Sequence, residues 1–209
     1  MSAVRDVLLL LAGGRSRRFG RDKALERFGA PTADHPGGEP LALRALRRLA
    51  PLAATRVLVR AAPLPGLPAD VATCADPHPG RGPAQALAAA FAAFPAARWF
   101  VAPCDLPWLS IAAYRRLAAA LDAASDATSG AASLAVATSA HGLEPLVSIW
   151  TPAAATSLAR AVERTPELAL HALLAELPIV RVADLPPACF MNVNTPADLA
   201  VACGAGEEE

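Results

Sequence analysis

The chain has 209 residues, and its 19 Lys and Arg balance 19 Asp and Glu at a pI of about 6.9. That balance excludes the broadly basic surface on which duplex nucleic-acid binding depends. Hydrophobic residues make up 54%, much of it alanine, and aromatics 5%. The chain can therefore bury the core of one domain, built from closely approaching helices with few large anchors.

A mean hydropathy of +0.35 does not signal a membrane protein, because no run approaches the ~18–20 apolar residues of a spanning helix. The apolar run 7–12 is too short and wrongly flanked for a signal peptide, so the expected location is the cytoplasm, with no membrane and no nucleic-acid partner. The four cysteines at 74, 104, 189 and 203 are scattered without CxxC pairs, which argues against a disulfide framework or zinc ribbon and predicts small buried residues.

Short apolar runs alternate with helical stretches along the whole chain, the pattern of an α/β domain with a mostly parallel sheet flanked by helices. Residues 6–12 read as a buried strand, followed by the polar loop GGRSRRFGRDKAL. The spacing predicts a helix over 41–52, strands over 56–60 and 71–74, and an alanine-rich helix over 84–94. A buried strand over 98–104 ends at Asp105, and a helix follows over 112–124. Two strands, 132–137 and 146–150, flank a loop carrying His141 and Glu144. Helices over 153–163 and 166–177, a strand over 179–183 and a helix opening at Thr195 with Pro196 in its first position complete the pattern. Within the second of those helices His171 is expected in the core. Residues 1–203 form one domain by this reading, 31–40 is a mobile Pro/Gly-rich stretch in which His35 is solvated, and 204–209 is a mobile acidic tail.

Three loops fall directly after strands: 13–23, the segment at Asp76, and Asp105. In an open α/β sheet such loops gather at the carboxyl edge, where ligands bind. Gly13 and Gly14 offer unobstructed backbone N–H groups, and Arg15, Arg17, Arg18, Arg21 and Lys23 add positive charge, a combination suited to a polyphosphate. The same loop also fits a solvated turn, since it matches neither GxGxxG nor a P-loop. Lys23 is the single lysine among 19 basic residues.

Asp105 closes an apolar strand, where a carboxylate must be solvated, paired or bound to a metal. A hard oxygen donor suits Mg²⁺; a helix cap or an arginine salt bridge are the alternatives. Asn192 and Asn194 fit either a recognition pair or an Asx turn with a cap. No Ser/His/Asp or Cys/His constellation assembles. A transfer whose nucleophile is already an ionised phosphate needs none, because positioning and charge neutralisation suffice.

LLAGGRSRRFGRDKAL at 10–25 closely resembles the LAGGxSxRMGxDKA signature of the molybdenum cofactor guanylyltransferases. The segments DPHPGRGPAQAL, FVAPCDLPWLS, GLEPLVSIW and FMNVNTPADLA resemble that family's later blocks in the same order. Sugar-nucleotide transferases that share LAGG continue with a Gly-Thr-Arg segment absent here, and cytidylyl relatives read LAAG. The resemblance implies a single-domain, Rossmann-like nucleotidyltransferase fold that transfers GMP from GTP to the terminal phosphate of molybdopterin or Mo-molybdopterin. Pyrophosphate is released with Mg²⁺ as cofactor, and molybdoenzyme-delivery proteins are the further partners implied.

By the same resemblance, Leu11, Ala12, Gly13 and Gly14 cradle the nucleotide, with Asp76 as a further nucleotide-binding residue. Lys23 contacts its phosphates, Arg18 fills the signature's arginine as a catalytic contact, and Asp105 holds the metal and nucleotide. Asn192 and Asn194 lie beside the pterin. The chain departs from the family at Phe19, in place of Met, and in the loop 30–39, where Glu39 stands for the lysine of a short Gly-Lys-Pro. It departs again at 60–63, where Arg-Ala-Ala-Pro replaces a stretch often carrying Asn, and no site is assigned there. The competing readings are a cytidylyl- or other nucleotidyltransferase on a phosphorylated small molecule, and a non-catalytic nucleotide or cofactor carrier.

Overall fold

A computed structural model describes residues 5–13, 19–127 and 133–204. The first strand, β1 (Val7–Leu11), is buried along its whole length, as a continuous Val/Leu run at the centre of a parallel sheet should be. A 3₁₀ turn (Lys23–Leu25) precedes the short strands β2 (Arg27–Phe28) and β3 (Glu39–Pro40), and then α1 (Leu41–Leu49), which a 3₁₀ turn extends over Ala50–Leu52. There follow β4 (Thr55–Val59), β5 (Val71–Cys74), α2 (Pro83–Ala93), β6 (Trp99–Pro103) and α3 (Ile111–Ala127). The remaining elements are β7 (Leu134–Ser139), β8 (Gly142–Trp150), α4 (Pro152–Arg164), α5 (Leu170–Glu176), β9 (Ile179–Val182) and α6 (Pro196–Gly204).

Seven strands form one sheet in the order β5-β4-β1-β6-β8-β7-β9. β4, β5 and β6 run parallel to β1, β9 runs parallel to β7, and β8 is antiparallel to both β6 and β7. Alternation along each strand divides the core into two layers. Leu8 and Leu10 pack under α1 and α3, around Leu46, Tyr114 and Leu117. Val7, Leu9 and Leu11 face α2, α4 and α5, where Phe91 touches both Trp99 and Trp150, at centroid distances of 4.7 and 5.3 Å. A smaller cluster of Phe19, Phe28, Leu41, Trp108 and Val193 seats α6 beside β2 and β3.

Within 31–40, Glu39–Pro40 pairs antiparallel with Arg27–Phe28, and the turn before it is tied by Thr32 N–H to His35 O and Gly38 N–H to His35 O. Three details differ from the sequence reading. The strand pair at 134–150 closes tightly, so Glu144 lies within β8 and its carboxylate accepts from Ser139 Oγ at 2.7 Å. The helix predicted over 166–177 forms only from Leu170. Its apolar face is Leu170, Leu173 and Leu174, which turns His171 outward instead of into the core. Cys74, Cys104 and Cys189 are buried, but Cys203 is exposed. Of the tail, Gly204 closes α6, and 205–209 lie outside the described residues. No helix among the described residues is long and apolar enough to cross a membrane.

Candidate functional site

Because β1, β4, β5 and β6 are parallel and in register, their last residues align: Leu11 opposite Val59 and Pro103, and Val59 opposite Cys74. Backbone bonds continue the alignment past the strand ends, from Ala12 N–H to Val59 O, Cys104 N–H to Leu11 O and Arg60 N–H to Cys74 O, at 3.0–3.1 Å. The expected nucleotide loop at Ala12 and Gly13, the Asp76 loop and Asp105 thus share one edge of the sheet. Leu11 and Ala12 are buried, so what they can offer a ligand is backbone. Gly14 and Arg18, with Arg15 and Arg17, lie outside the described residues.

At this edge Lys23 and Asp105, 82 residues apart in sequence, form a hydrogen-bonded ion pair. Lys23 Nζ also donates to Asn194 Oδ1 at 3.0 Å. Both charged side chains are largely enclosed, at 19% and 17% exposure. The salt-bridge alternative at Asp105 therefore holds with lysine, not arginine, as the partner.

Each member of this cluster is held from behind. Asp22 accepts from Ala24 N–H at 3.1 Å, capping the turn that presents Lys23, and accepts from Arg60 Nη2 at 2.7 Å. Asp105 is fixed through its carbonyl, which accepts from Val193 N–H at 2.9 Å. The turn after it is held by Arg44, whose guanidinium lies over the rings of Phe28 and Trp108 and donates from Nε to Pro107 O at 3.3 Å.

Asn194 sits on a reciprocal cap: Thr195 Oγ1 accepts from Asp198 N–H at 3.1 Å, while Asp198 Oδ2 accepts from the N–H groups of Asn194 and Thr195 at 3.0 and 2.8 Å. Those bonds, led by the one from Asn194, lower the Asp198 pKa, with Lys23 adding a smaller electrostatic contribution. The cap is supplied by Thr195 and Asp198, which leaves the Asn194 side chain to contact Lys23.

The other expected residues stand apart from this cluster. Asp76 is half-buried beyond β5, and its Oδ1 accepts from His78 N–H at 2.9 Å in an Asx turn. Asn192 is exposed. Glu39, at the family's lysine position, receives Arg47 through Nε and Nη2 at 2.9–3.2 Å. Three contributors went unassigned in the sequence: Asp22, Asp198 and Arg60. For Arg60 a signal existed, because Arg56, Leu58 and Arg60 alternate onto one face of β4 and Leu58 belongs to the core.

The cluster offers one compact cation, one carboxylate and one amide. Cys104, adjoining Asp105, does not add a nucleophile: burial, reinforced by the Asp105 charge, pushes its thiol up to about 12, leaving it protonated at neutral pH. Among the described residues no group of three or more His, Cys, Asp and Glu could hold a metal. A single carboxylate suits an ion such as Mg²⁺ that draws its other ligands from phosphate and water.

Residues 8–181 match the MobA-like NTP transferase domain. The chain belongs to that family. It is a nucleotidyltransferase of the MobA-like class, associated with molybdenum cofactor biosynthesis. The molybdenum cofactor guanylyltransferase of Shewanella amazonensis is 33% identical over 195 residues, 90% of each chain. That of Burkholderia orbicola is 42% identical over 123 residues, a match spanning 55% of this chain and 56% of the relative's length.

Among solved structures, molybdopterin-guanine dinucleotide biosynthesis protein A from Archaeoglobus fulgidus superimposes with a TM-score of 0.73 at 22% identity, covering 95% of this chain and 97% of that one. The 2-C-methyl-D-erythritol 4-phosphate cytidylyltransferase of Thermus thermophilus does so at 0.64 and 17%, covering 94% and 96%. Rv0371c of Mycobacterium tuberculosis, in complex with manganese, does so at 0.58 and 18%, covering 97% and 100%. At these identities the structural matches show the fold that the MobA-like family shares with other nucleotidyltransferases.

Proposed function

We propose that this MobA-like nucleotidyltransferase transfers GMP from GTP to the terminal phosphate of molybdopterin, or of its molybdenum-loaded form, releasing pyrophosphate. The observation that carries this reading is the Lys23–Asp105–Asn194 cluster at the strand edge, set beside relatives named for guanylyl transfer. Packing within the chain does not account for glycine at 13, because a Cβ there would meet only Val59 O at 3.9 Å and Arg60 Cα at 4.0 Å. Close approach of a nucleotide to the backbone does account for it.

In this reading the acceptor is a phosphate monoester, ionised at neutral pH, so the protein supplies no base. Lys23 places a compact positive charge against the donor's phosphates, and Asn194 holds the ammonium in line. Gly13, with Gly14, receives the nucleotide on backbone N–H groups, and Arg18 adds charge to the same loop. Asp76 binds the nucleotide beyond β5, while Asn192 and Asn194 face the pterin. Asp105 would hold Mg²⁺, which supplies charge neutralisation of the phosphate oxygens; the manganese complex of Rv0371c supports a divalent ion on this fold. The cytoplasm, where such a nucleotide donor is available, is the proposed location.

The test is to incubate the chain with Mg²⁺, molybdopterin and GTP labelled at the α-phosphorus. Label appearing in a pterin dinucleotide with equimolar pyrophosphate is expected. Binding of both substrates without pyrophosphate release would instead establish a carrier.

A further inference from the structure

Arg60 is buried where the sheet does not require a charge. It follows β4 directly, its backbone N–H continues the ladder to Cys74 O at 3.0 Å, and its side chain is 5% exposed. Nη2 donates to Asp22 Oδ2 at 2.7 Å, while Nε and Nη1 are buried with no acceptor among the described residues. Enclosing a guanidinium with two nitrogens unsatisfied costs free energy that an apolar side chain of similar volume would not. The bond to Asp22 is what sets arginine apart from such a residue here, and it is the feature that calls for a reason.

That bond joins residues 38 positions apart in sequence and ends beside Lys23. Asp22 divides its carboxylate between two tasks: Oδ1 accepts from Ala24 N–H at 3.1 Å, which caps the turn, and Oδ2 receives Arg60. The turn itself, Lys23–Leu25, is closed by Leu25 N–H to Asp22 O and Glu26 N–H to Lys23 O, at 3.2 and 3.1 Å. A single helical turn fixes several dihedrals for little gain and does not hold its own shape. Buried Ala24 sets the depth of the turn, but a methyl group does not set its rotation. Asp22 is 41% exposed, so packing does not immobilise its carboxylate. Arg60 supplies the fixed reference, because it is enclosed at the end of a buried strand and ties the turn to β4. The ammonium of Lys23 ends a flexible four-carbon stem, and where it lands depends on where its backbone is held. Asp105 draws it in from β6; Arg60, through Asp22, holds from β4 the point at which it starts.

We propose that Arg60 is a positioning residue for Lys23: through Asp22 it orients the turn so that the ammonium stands between Asp105 and Asn194, and it touches no substrate. Its consequence for catalysis rests on the guanylyl reading of the site, but the positioning is testable without the reaction. Lys23 is the single lysine, so the full chain grown on lysine carrying ¹³C at Cε gives one lysine NMR signal. That signal is read in wild type, Arg60→Met, Asp22→Ala and the double variant, each in its native state and in urea.

The wild-type signal should stand apart from its position in the urea-unfolded chain. In Arg60→Met it should move back toward that position, and Asp22→Ala should do the same. The double variant should move no further than Asp22→Ala, because residues that act through one contact are not additive. Folded and unfolded chains interconvert slowly and give separate signals, so partial unfolding of a variant does not imitate the shift. A signal unmoved in Asp22→Ala, the exposed member of the pair, overturns the proposal even if Arg60→Met does not fold. So does a signal unmoved in Arg60→Met, or an effect of Arg60→Met that adds in full to that of Asp22→Ala. In pyrophosphate release, Arg60→Met should lower kcat about tenfold or more with less change in KM, and should cost nothing further in a Lys23→Ala background. A further loss in that background would make the role of Arg60 structural and overturn the proposal. The expected NMR pattern, together with no pyrophosphate release by wild type, would uphold the positioning and reject the proposed transfer.

Discussion

Lys23 shows how much one side chain's chemistry can settle. Arginine fills every other basic position, yet a planar fork at 23 could not stand between Asp105 and Asn194 as a compact ammonium does. Lys23→Ala should lower kcat/KM by about 10²–10³, the usual scale for removing a preorganised charge contact from a transition state. It should also lower stability by about 1–3 kcal/mol by leaving the enclosed Asp105 carboxylate unpaired. Pairing it with Asp105→Asn should return part of that stability in urea unfolding, and near-normal turnover would remove the lysine from the mechanism.

Asp198 supplies a pH-dependent prediction. Its pKa lies below the ordinary 3.8, so the folded chain favours the ionised form. That contribution is complete above about pH 4 and is lost as the pH falls through the folded value. Asp198→Asn should flatten the acid limb of the stability profile below about pH 4. An acid limb unaltered by the substitution would mean that the cap on Asn194 does not titrate there.

Among the elements, those with strong periodicity were legible within one to four residues. The alanine-rich α2, the buried runs of β1 and β6, and the Thr-Pro start of α6 each carry a local signal that burial reinforces. What escaped was context. The two-residue strands β2 and β3 have no period to detect, and their pairing depends on Gly38 at φ +90°, where a Cβ would lie 2.9 Å from Gly29 O and 3.0 Å from Phe28 O. Gly38→Ala should therefore destabilise the chain by about 1–3 kcal/mol, measured as a lower urea midpoint at unchanged slope; a neutral result would contradict this turn. The late start of α5 likewise exposes His171, because Leu170, Leu173 and Leu174 alone carry its packing. The site was legible where residues matched a signature, as at Lys23, Asp105 and Asn194. It was illegible where a residue's place depends on a partner that the pattern does not show, as at Asp22 or at Asp198 beneath Asn194.

At the scale of the molecule, the parallel core of the sheet gathers the site at one edge. β1 lies between β4 and β6, and the residues that follow those two strands, Arg60 and Asp105, converge on the Asp22–Lys23 turn, Arg60 through Asp22 and Asp105 through Lys23. The two apolar layers beneath that edge leave three of the four cysteines buried. A thiol reagent should accordingly modify one cysteine, Cys203, in the native chain and all four after denaturation. Rapid reaction of a second thiol would contradict the packing around Cys74, Cys104 or Cys189. The fold itself is shared with a cytidylyltransferase, so architecture does not select the base, and the reaction must be read directly. Initial rates of pyrophosphate release with Mg²⁺, molybdopterin and each nucleoside triphosphate in turn are the decisive measurement. Turnover with GTP far exceeding that with CTP or ATP is the predicted result, and preference for CTP, or release independent of molybdopterin, would contradict guanylyl transfer.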